Sequence, residues 1–580
     1  MFRKPSLIAG TTKKMALTYV GSAVCAATVV IIDSLVAGIS IGEEALAAIA
    51  AAGPLLAITQ VLHCLLGFGI DKLMVQAIGE GRREEADRIF GAILIAVVAV
   101  FLIVFYPLLA FERLLLQSFM TDAALVDMVV DYTIPLFATA AIFESFLCIE
   151  RAFRIDGRAK LFSQRSIVTN IANILFDVLL VSVLGLGVSG LAWSSIISTT
   201  LGYTITLSHF FSDKRTVSPD FSVVRSMEEF VGYIKRDIRM GSSATLDELM
   251  SIVALSVQTV AVGVIGGADG LAIWAVFKSL RGVVLSGSNG VSASVSVHAG
   301  LLFGQGDYDG VRYSIKEGVI LAQIISFVAT MIVILFAEPI VAAYHLPPEL
   351  QPLGATCLRI CVAFPAISFI TVVTAYLPSV DKVGLTTRFV LLQHGLTMVP
   401  AVFGYSMGLE GFFASYAGAQ WFALLIFVFL LVRDRCWFVP EHNPLMIAEY
   451  SVELDSEQIS SVSVDVSESL ASAAYPMPLC NKVGLAIEES LNFIAQHNSG
   501  VAITADVVLK RSESGILFAV LDDGSLYCPL VKPTEDMRDK VDWGEPGMLE
   551  TALIFELASD VRYDRVLDLN YLSLLIAEQG

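Results

Sequence analysis

The chain has 580 residues, of which 56% are hydrophobic and only 16% are charged, with a mean hydropathy of +0.73. Because soluble domains carry about a quarter charged residues, this composition excludes an ordinary soluble protein and indicates that most of the chain lies in a bilayer. The formal net charge of −19 is concentrated at the C-terminal end, where residues 449–580 hold 23 acidic and 8 basic residues. This acidic tail argues against nucleic acid as a partner.

Long apolar runs recur along the first 432 residues. A hydrocarbon core about 30 Å thick requires about 20 apolar residues per helix. The sequence predicts twelve membrane-spanning helices, at approximately 15–39, 51–78, 89–111, 127–153, 166–186, 190–211, 240–265, 271–300, 317–344, 353–376, 388–407 and 411–432. The first run is too long for a signal peptide and is predicted to be a membrane helix.

Basic residues in the short loops predict the orientation of these helices. They follow the even-numbered predicted helices, for example at Arg82, Arg83, Arg154 and Lys214, whereas the opposite loops hold almost none. Since Lys and Arg mark cytoplasmic loops, both termini are predicted to lie in the cytoplasm. The expected location is the inner or plasma membrane, as a multi-pass protein in contact with lipid.

An internal repeat divides the membrane part into two halves, at 1–225 and 226–440. Glycines recur in the same order at a nearly constant offset. The offset is 225 residues for Gly42 with Gly267 and for Gly79 and Gly81 with Gly304 and Gly306, and 221 residues for Gly187 and Gly190 with Gly408 and Gly411. Because each half has six predicted helices, the two copies share one membrane orientation, and a substrate cavity is expected between them.

Polar residues inside the predicted first-half helices form a candidate coupling site. Asp33 lies in helix one, and Asn170, Asn173 and Asp177 lie in helix five at spacings that place them on one helical face. Ser195 follows early in helix six. A carboxylate inside the bilayer usually lines a cavity or meets a partner, so these groups predict a site for Na⁺ or for a shared proton. The alternative is an Asn/Asp group that only bonds helices together.

The second half has no counterpart of Asp33, because the 225-residue offset leads to Gln258. Coupling is therefore expected to belong to the first half. Asp247 and Glu248 are second candidates, although their depth also suits an interfacial position. The remaining intramembrane charges are expected to pair with each other, to snorkel or to meet an anionic group; they are Asp71, Lys72, Lys278, Arg281 and Arg359.

Residues 10–435 resemble the multidrug and toxic compound extrusion (MATE) family. The resemblance is carried by IIDSLVAGISIGEEALAAIAAAGPL, the AIGEGRREEADR loop, the NxxxD of helix five with LGLGVSGLAWS, and GGADGLAIWAVFKSL with LFGQGDYDGVR. It implies a small-molecule exporter, often of organic cations, driven by Na⁺ or H⁺. The family's first-half cation site maps onto Asp33, Asn173 and Asp177, with Ser195 as a looser match. The start of helix seven, RMGSSATLDEL, lacks the proline common there.

The acidic tail at 450–580 is predicted to be a separate α+β domain with its own core. Strands are predicted at 462–466, 502–510, 515–523 and 566–576, and helices at 479–497 and 547–560. The fold expected for the whole chain is thus an all-α membrane part of two six-helix repeats, followed by this α+β domain.

Two motifs in the tail resemble the histidine-kinase-like ATPase fold, in its anti-sigma-factor serine kinase branch. These are the ExxxN of helix 479–497 and the DDG that ends strand 515–523. The resemblance implies that Glu488 is a catalytic base and Asn492 a Mg²⁺ ligand, and that Asp522, Gly524 and Gly547 bind Mg-ATP. Cys528 stands where that branch has an Asp.

These observations favour a secondary active exporter with a cytoplasmic domain that senses nucleotide or binds a regulatory protein. One alternative is a membrane-anchored serine kinase or sensor, for which phosphate transfer by the tail would be diagnostic. Another is a flippase of lipid-linked oligosaccharides, which requires a wide basic cavity. An ATP-driven pump is disfavoured because the chain contains no GxxxxGK[ST] loop.

Overall fold

The structure is a computed structural model that describes residues 6–119, 123–156, 159–211, 217–344, 346–433, 445–512, 514–525 and 548–577. It is a predominantly helical membrane part followed by a small sheet-containing domain. The helices of the first half are α1 Ser6–Ser40, α2 Glu43–Gly67, α3 Ile70–Gly79, α4 Arg83–Val100, α5 Tyr106–Leu109, α6 Glu112–Phe119, α7 Ala123–Ile155, α8 Ala159–Asp177 and α9 Gly187–Phe210. Two π-helical segments, Phe101–Phe105 and Val178–Val183, continue α4 and α8.

The second half begins with the longest helix of the chain. Its helices are α10 Met227–Gln305, α11 Tyr308–Leu335, α12 Ala337–Ala343, α13 Gln351–Ile360, α14 Phe364–Tyr376, α15 Val383–Met398 and α16 Pro400–Arg433. Gly267 interrupts the helical backbone of α10, and Gly408 interrupts that of α16, so each of these helices contains two segments.

All twelve predicted spans fall largely within helices of the structure. Within the described ranges, seven helices are long and apolar enough to cross a membrane, or eight if the bent pair Gln351–Ile360 and Phe364–Val380 is one span. The chain is therefore a multi-pass membrane protein, while the count of twelve spans stays a prediction. The long α10 contributes one of the seven although it contains two of the predicted spans.

The glycines that matched between the two halves also share a backbone conformation. A positive φ angle is found at Gly42 (115°) and Gly267 (57°), at Gly81 (78°) and Gly306 (76°), and at Gly187 (61°) and Gly408 (72°). Residues that carry a Cβ atom are strained at such positive φ angles. The repeat is therefore present in the geometry of the helix ends as well as in the sequence.

The two halves touch closely at a pair of these repeated positions. A Cβ atom on Gly79 would lie 2.4 Å from the carbonyl oxygen of Leu301, and one on Gly304 would lie 2.4 Å from that of Gln76. Only glycine allows the ends of α3 and α10 to approach this closely. We call this contact the glycine closure; it lies at the end of the helix bundle that faces the C-terminal domain, here called the domain-facing end.

The C-terminal domain is one antiparallel sheet with helices on one side. Its elements are β1 Met446–Glu453, α17 Ser456–Ser472, α18 Met477–His497, β2 Thr504–Ser512, β3 Gly515–Asp522, α19 Met548–Leu557, β4 Asp560–Val566 and β5 Leu569–Ala577. The strand order is β1-β2-β3-β5-β4. One face of the sheet, including Val507 and Phe518, packs on the helices, whereas the other, including Leu521 and Tyr571, joins the core of the membrane bundle.

One prediction for the tail was wrong. Residues 462–466 are not a strand, because they lie inside α17. The side chain of Asp455 caps this helix by accepting a hydrogen bond from the backbone N–H of Gln458. Alternating Ser and Val resemble a strand, but Ile459, Val462, Val466 and Leu470 recur at helical spacing and are buried.

The other predicted tail elements correspond to α18, β2, β3, α19 and β5. The two edge strands of the sheet, β1 and β4, were not predicted.

Candidate functional site

The first-half polar residues of α8 lie in the protein interior. Asn173 is 4% exposed, and Asp177 is fully buried at the last residue of α8, where the π-helical segment begins. The amide of Asn173 donates to Ser194 Oγ at 3.3 Å, and Ser194 Oγ donates to the backbone carbonyl of Asn173 at 3.0 Å. Ser194 therefore contacts Asn173, a contact that was not predicted. Ser195 follows it and is half-buried, and its role in ion coupling stays a prediction.

The predicted partner of these residues in helix one falls within α1. The backbone of Asp33 belongs to this helix, which packs along α8. The side chain of Asp33 lies outside the described residues, so its distance from Asp177 stays a prediction. Among the residues that the structure describes, no cluster of three His, Cys, Asp or Glu side chains has the arrangement of a metal site.

A cavity of about 330 Å³ lies between the two halves, near the domain-facing end. Its wall combines hydroxyl and amide groups, such as Gln60, Asn289 and Thr374, with charged groups from both halves. The charged members are Asp71, Lys72, Arg151, Arg154, Asp247 and Glu248. The cavity expected between the repeats is therefore present, and its wall is strongly polar.

A buried charge network holds the first-half wall of this cavity. Asp71 Oδ2 lies 3.6 Å from Arg151 Nη1 and 3.4 Å from Arg154 Nη1, and Lys72 Nζ lies 3.9 Å from Asp71 Oδ1. Lys72 Nζ also donates to the carbonyl of Phe68 at 2.9 Å. The expected pairing of Asp71 with Lys72 is thus part of a larger network, in which one carboxylate faces three cations.

His63 extends this network by contacting both Glu144 and Arg151, and neither contact was predicted. Its Nδ1 lies 2.7 Å from Glu144 Oε2, and its Nε2 lies 2.9 Å from Arg151 Nη2. A His on α2 and a Glu on α7 are 81 residues apart, so no local pattern could have predicted the pair. Glu144 and Arg151 lie about two turns apart on the same helix, α7, so the sequence could indicate that these two side chains share a helical face but not that His63 joins them.

The second-half candidates are connected to a histidine. Asp247 Oδ1 lies 2.7 Å from His394 Nε2, and His394 is largely buried on α15. Asp247 and Glu248 both line the central cavity. Arg359 pairs with Glu338 Oε1 at 3.1 Å in an exposed position, which accounts for its predicted anionic partner.

The C-terminal domain contacts both halves of the membrane part. Asp564 Oδ1 accepts a hydrogen bond from Arg83 Nη1 at 2.6 Å, and the backbone N–H of Leu567 donates to the carbonyl of Ile155 at 2.7 Å. In the second half, Lys510 Nζ donates to the carbonyl of Gln305 at 3.0 Å. The sheet thus lies across the glycine closure and bridges the halves.

Burial changes the pKa values of Asp564 and Lys510, which the C-terminal domain contributes to this interface. It raises the pKa of Asp564 to about 6, although Arg83 acts in the opposite direction. It lowers the pKa of Lys510 to about 8. Burial disfavours the charged form of both groups, which accounts for the opposite directions of the two shifts.

The nucleotide-site residues predicted in the tail lie on α18 and at the end of β3. Glu488 and Asn492 are half-buried on α18, and Asp522 is fully buried at the end of β3. Asp522 Oδ1 accepts hydrogen bonds from the Gly524 N–H at 2.9 Å and from Asn570 Nδ2 at 2.7 Å. Gly547 lies outside the described residues. The binding of Mg-ATP by these residues stays a prediction.

Two membrane halves related by a repeat, with a polar cavity between them, define the class of two-bundle membrane transporters. The MatE family pattern matches residues 20–179 and 246–403, which together are just over half of the chain. The chain therefore belongs to the MatE family.

Individual relatives agree with this assignment. The chain is 22% identical over 322 residues to the probable multidrug resistance protein YoeA of Bacillus subtilis (strain 168), covering 54% of this chain and 68% of that protein. It superposes with a TM-score of 0.67 at 18% identity on a MATE protein in complex with MaL6 and on an outward-facing multidrug resistance MATE family transporter, covering 75% of this chain and 99% of each. A MOP superfamily transporter from Pyrococcus furiosus gives the same TM-score and identity. At this identity the structures establish the fold.

Proposed function

We propose that this protein is a secondary active exporter of drug-like molecules or metabolites that exchanges its substrate for Na⁺ or H⁺. The observation that carries the proposal is the burial of Asn173 and Asp177 on α8, against the helix that contains Asp33, within a MatE fold. A buried carboxylate in a membrane protein is costly unless it serves an ion or proton pathway. The substrate would be bound in the cavity between the halves.

Transport into or out of proteoliposomes under separately imposed Na⁺ and H⁺ gradients tests this proposal. We expect one gradient to drive export of a cationic dye such as ethidium and the Asp33→Asn variant to lose this transport while still inserting into the membrane. The Ser256→Ala variant changes an exposed hydroxyl of α10 that bonds the carbonyl of Ile252 within its own helix, and it serves as the control. Undiminished transport by Asp33→Asn would refute the coupling role.

We further propose that the C-terminal domain regulates the transporter from the cytoplasm by holding the domain-facing end closed. The domain bonds to α4 and α7 of the first half and to the end of α10 in the second half. Alternating access requires the two halves to separate at this end. A domain that bridges both halves must release one of them before the end can open.

Charge reversal at the interface tests this regulatory role in the full chain. Arg83→Glu places a second carboxylate beside Asp564, so we expect the domain to undock and the transport rate to change. The double variant Arg83→Glu with Asp564→Arg restores the ion pair and should restore the original rate. Arg88→Glu is the matched control because Arg88 faces the exposed Asp220 and Glu229 at 3.9 and 3.5 Å. Equal rates in all four proteins would contradict the proposal.

A further inference from the structure

A second polar pocket lies inside the second half, between α10, α15 and α16. It has a volume of about 20 Å³, which is enough for one water-sized particle. Two cations line it, Lys278 and Arg281, which are three residues apart and therefore on one face of α10. Its other walls are mainly neutral hydrogen-bonding groups, among them Gln258, Gln393, Tyr416 and Gln420.

The cations of this pocket have no anionic partner in the part of the chain that the structure describes. No carboxylate is among the lining residues, and no ion pair within 4.0 Å joins either Lys278 or Arg281 to a described acidic group. The Nε of Arg281 is buried without a hydrogen-bond partner among the described atoms. Both side chains are half-buried, and the one partner seen for the Arg281 guanidinium among the lining groups is the neutral Tyr416. Partial burial of two neighbouring cations without a counter-charge is unfavourable, and Arg remains charged in such surroundings.

At the repeat offsets, residues of this pocket correspond to the first-half residues that are proposed to couple an ion. Gln258 corresponds to Asp33 at the 225-residue offset. At the 221-residue offset of the following helices, His394 corresponds to Asn173 and Tyr416 to Ser195. All three second-half residues line the same pocket. The repeat therefore relates an acidic site in one half to a basic site in the other.

Lys278 and Arg281 have no charged counterparts in the first half. The 225-residue offset relates Lys278 to Gly53 and Arg281 to Leu56, neither of which carries a charge. The same offset replaces the carboxylate of Asp33 by the amide of Gln258. The second-half site therefore lacks the acidic group of the first-half site and carries two basic groups instead. It is suited to an anion, whereas the first-half site is suited to a cation.

We propose that this second-half pocket binds a small monovalent anion of about the size of chloride, held by Lys278 and Arg281. Its size fits a monatomic ion, and the hydroxyl of Tyr416 and the neighbouring amides supply further donors. The Asp247–His394 pair separates this pocket from the central cavity, because Asp247 lines the cavity and His394 lines the pocket. The bound anion would offset one of the two positive charges at the wall of the pocket. The proposal does not depend on cation coupling in the first half.

Tryptophan fluorescence tests the proposal without any transport measurement. Trp274 lines the pocket and is 1% exposed, so bromide quenches it only by entering the pocket. In a full-length variant that keeps Trp274 as its one tryptophan, we expect saturable quenching by bromide at constant ionic strength. Lys278→Gln with Arg281→Gln should raise the half-saturating concentration at least about 10-fold, a loss of about 1.4 kcal/mol. Lys316→Gln removes an exposed charge and should leave it unchanged.

Further variants keep the test decisive if the double variant does not fold. Arg281→Lys preserves the charge and should retain saturable quenching. Gln258→Asp restores the first-half carboxylate at the equivalent position and should abolish it. Competition by chloride but not by acetate would identify an inorganic anion, whereas competition by acetate would show that the pocket accepts a carboxylate, as a substrate could offer. Quenching that is linear in bromide and equal in all variants would overturn the proposal.

Discussion

The two halves of the membrane part share a backbone plan but differ in their charged groups. Three pairs of repeated glycines adopt positive φ angles in both halves, and a fourth repeated pair, Gly79 and Gly304, forms the glycine closure. The charges do not repeat: Asp71 and Lys72 of the first half correspond to Ser296 and Val297 of the second. Backbone geometry is constrained by the need to pack two similar bundles, whereas polar side chains at the cavity are free to diverge. The predictions below test this difference between the halves.

The largest expected effect is on stability, at the buried network of the first half. Asp71→Asn leaves Arg151, Arg154 and Lys72 without their carboxylate, and breaking a buried ion pair costs about 3–5 kcal/mol. The repeat-related Ser296 makes one hydrogen bond, with Ser379 Oγ at 2.8 Å, so Ser296→Ala should cost only about 1 kcal/mol. Thermal unfolding of the purified variants in detergent compares the two. Equal losses would mean that the network does not stabilise the first half.

The second prediction concerns coupling. Asp177→Asn keeps the shape of the side chain but removes its charge, and we expect gradient-driven transport to fall by about 100-fold, near the upper range of coupling between sites. The 221-residue offset relates Asp177 to Met398, so Met398→Leu is the matched control and should retain transport. Proteoliposome efflux measures both variants. If the second-half substitution is the more damaging one, coupling does not belong to the first half.

The third prediction concerns the shared feature, the glycine closure. Gly79→Ala and Gly304→Ala each introduce a Cβ against a backbone carbonyl, and such overpacking costs about 1–3 kcal/mol. Because the contact is reciprocal, both should open the domain-facing end to a similar extent. We expect about a 10-fold faster reaction of a thiol reagent with Cys64, which lines the cavity, in a variant without the other cysteines.

Gly282→Ala is the control for this experiment, because nothing lies within 4 Å of a Cβ at that position. It should leave the reaction of Cys64 unchanged. A strong effect of one closure variant and none of the other would show that the two glycines do not act as a symmetric pair.

The smallest effect is expected from pH at the interface with the C-terminal domain. Burial raises the pKa of Asp564 from 3.8 to about 6 in the docked protein. We expect undocking to return it toward 3.8, so the protonated form docks better and docking should strengthen as the pH falls below 6. Burial lowers the pKa of Lys510 from 10.5 to about 8, and we expect undocking to return it toward 10.5, so docking should strengthen as the pH rises above 8. Between pH 6 and 8 it should be nearly constant.

Hydrogen exchange of β4 and β5 in the full-length protein measures this docking. Asp564→Asn should remove the change at low pH only, and Lys510→Gln the change at high pH only. A pH dependence that survives both substitutions would assign it to other groups.

The sequence by itself determined the elements of this protein that depend on local patterns. Apolar runs, basic loops and repeated glycines predicted the helices, the membrane environment and the two halves, because each follows from hydrophobicity or backbone conformation within a short segment. The same local reasoning predicted β2, β3, β5 and α18 in the tail. It failed at α17, where β-branched residues resemble a strand until the helical spacing of the buried positions is taken into account.

Only the tertiary structure decided which distant side chains meet. His63 with Glu144, Asp247 with His394 and Arg83 with Asp564 are 81, 147 and 481 residues apart, and no local periodicity connects them. The contact of Asn173 with Ser194 has the same origin, since the rotation of α9 against α8 decides which hydroxyl faces Asn173. Helix packing fixes such contacts through the shape of both partners, which neither segment contains alone.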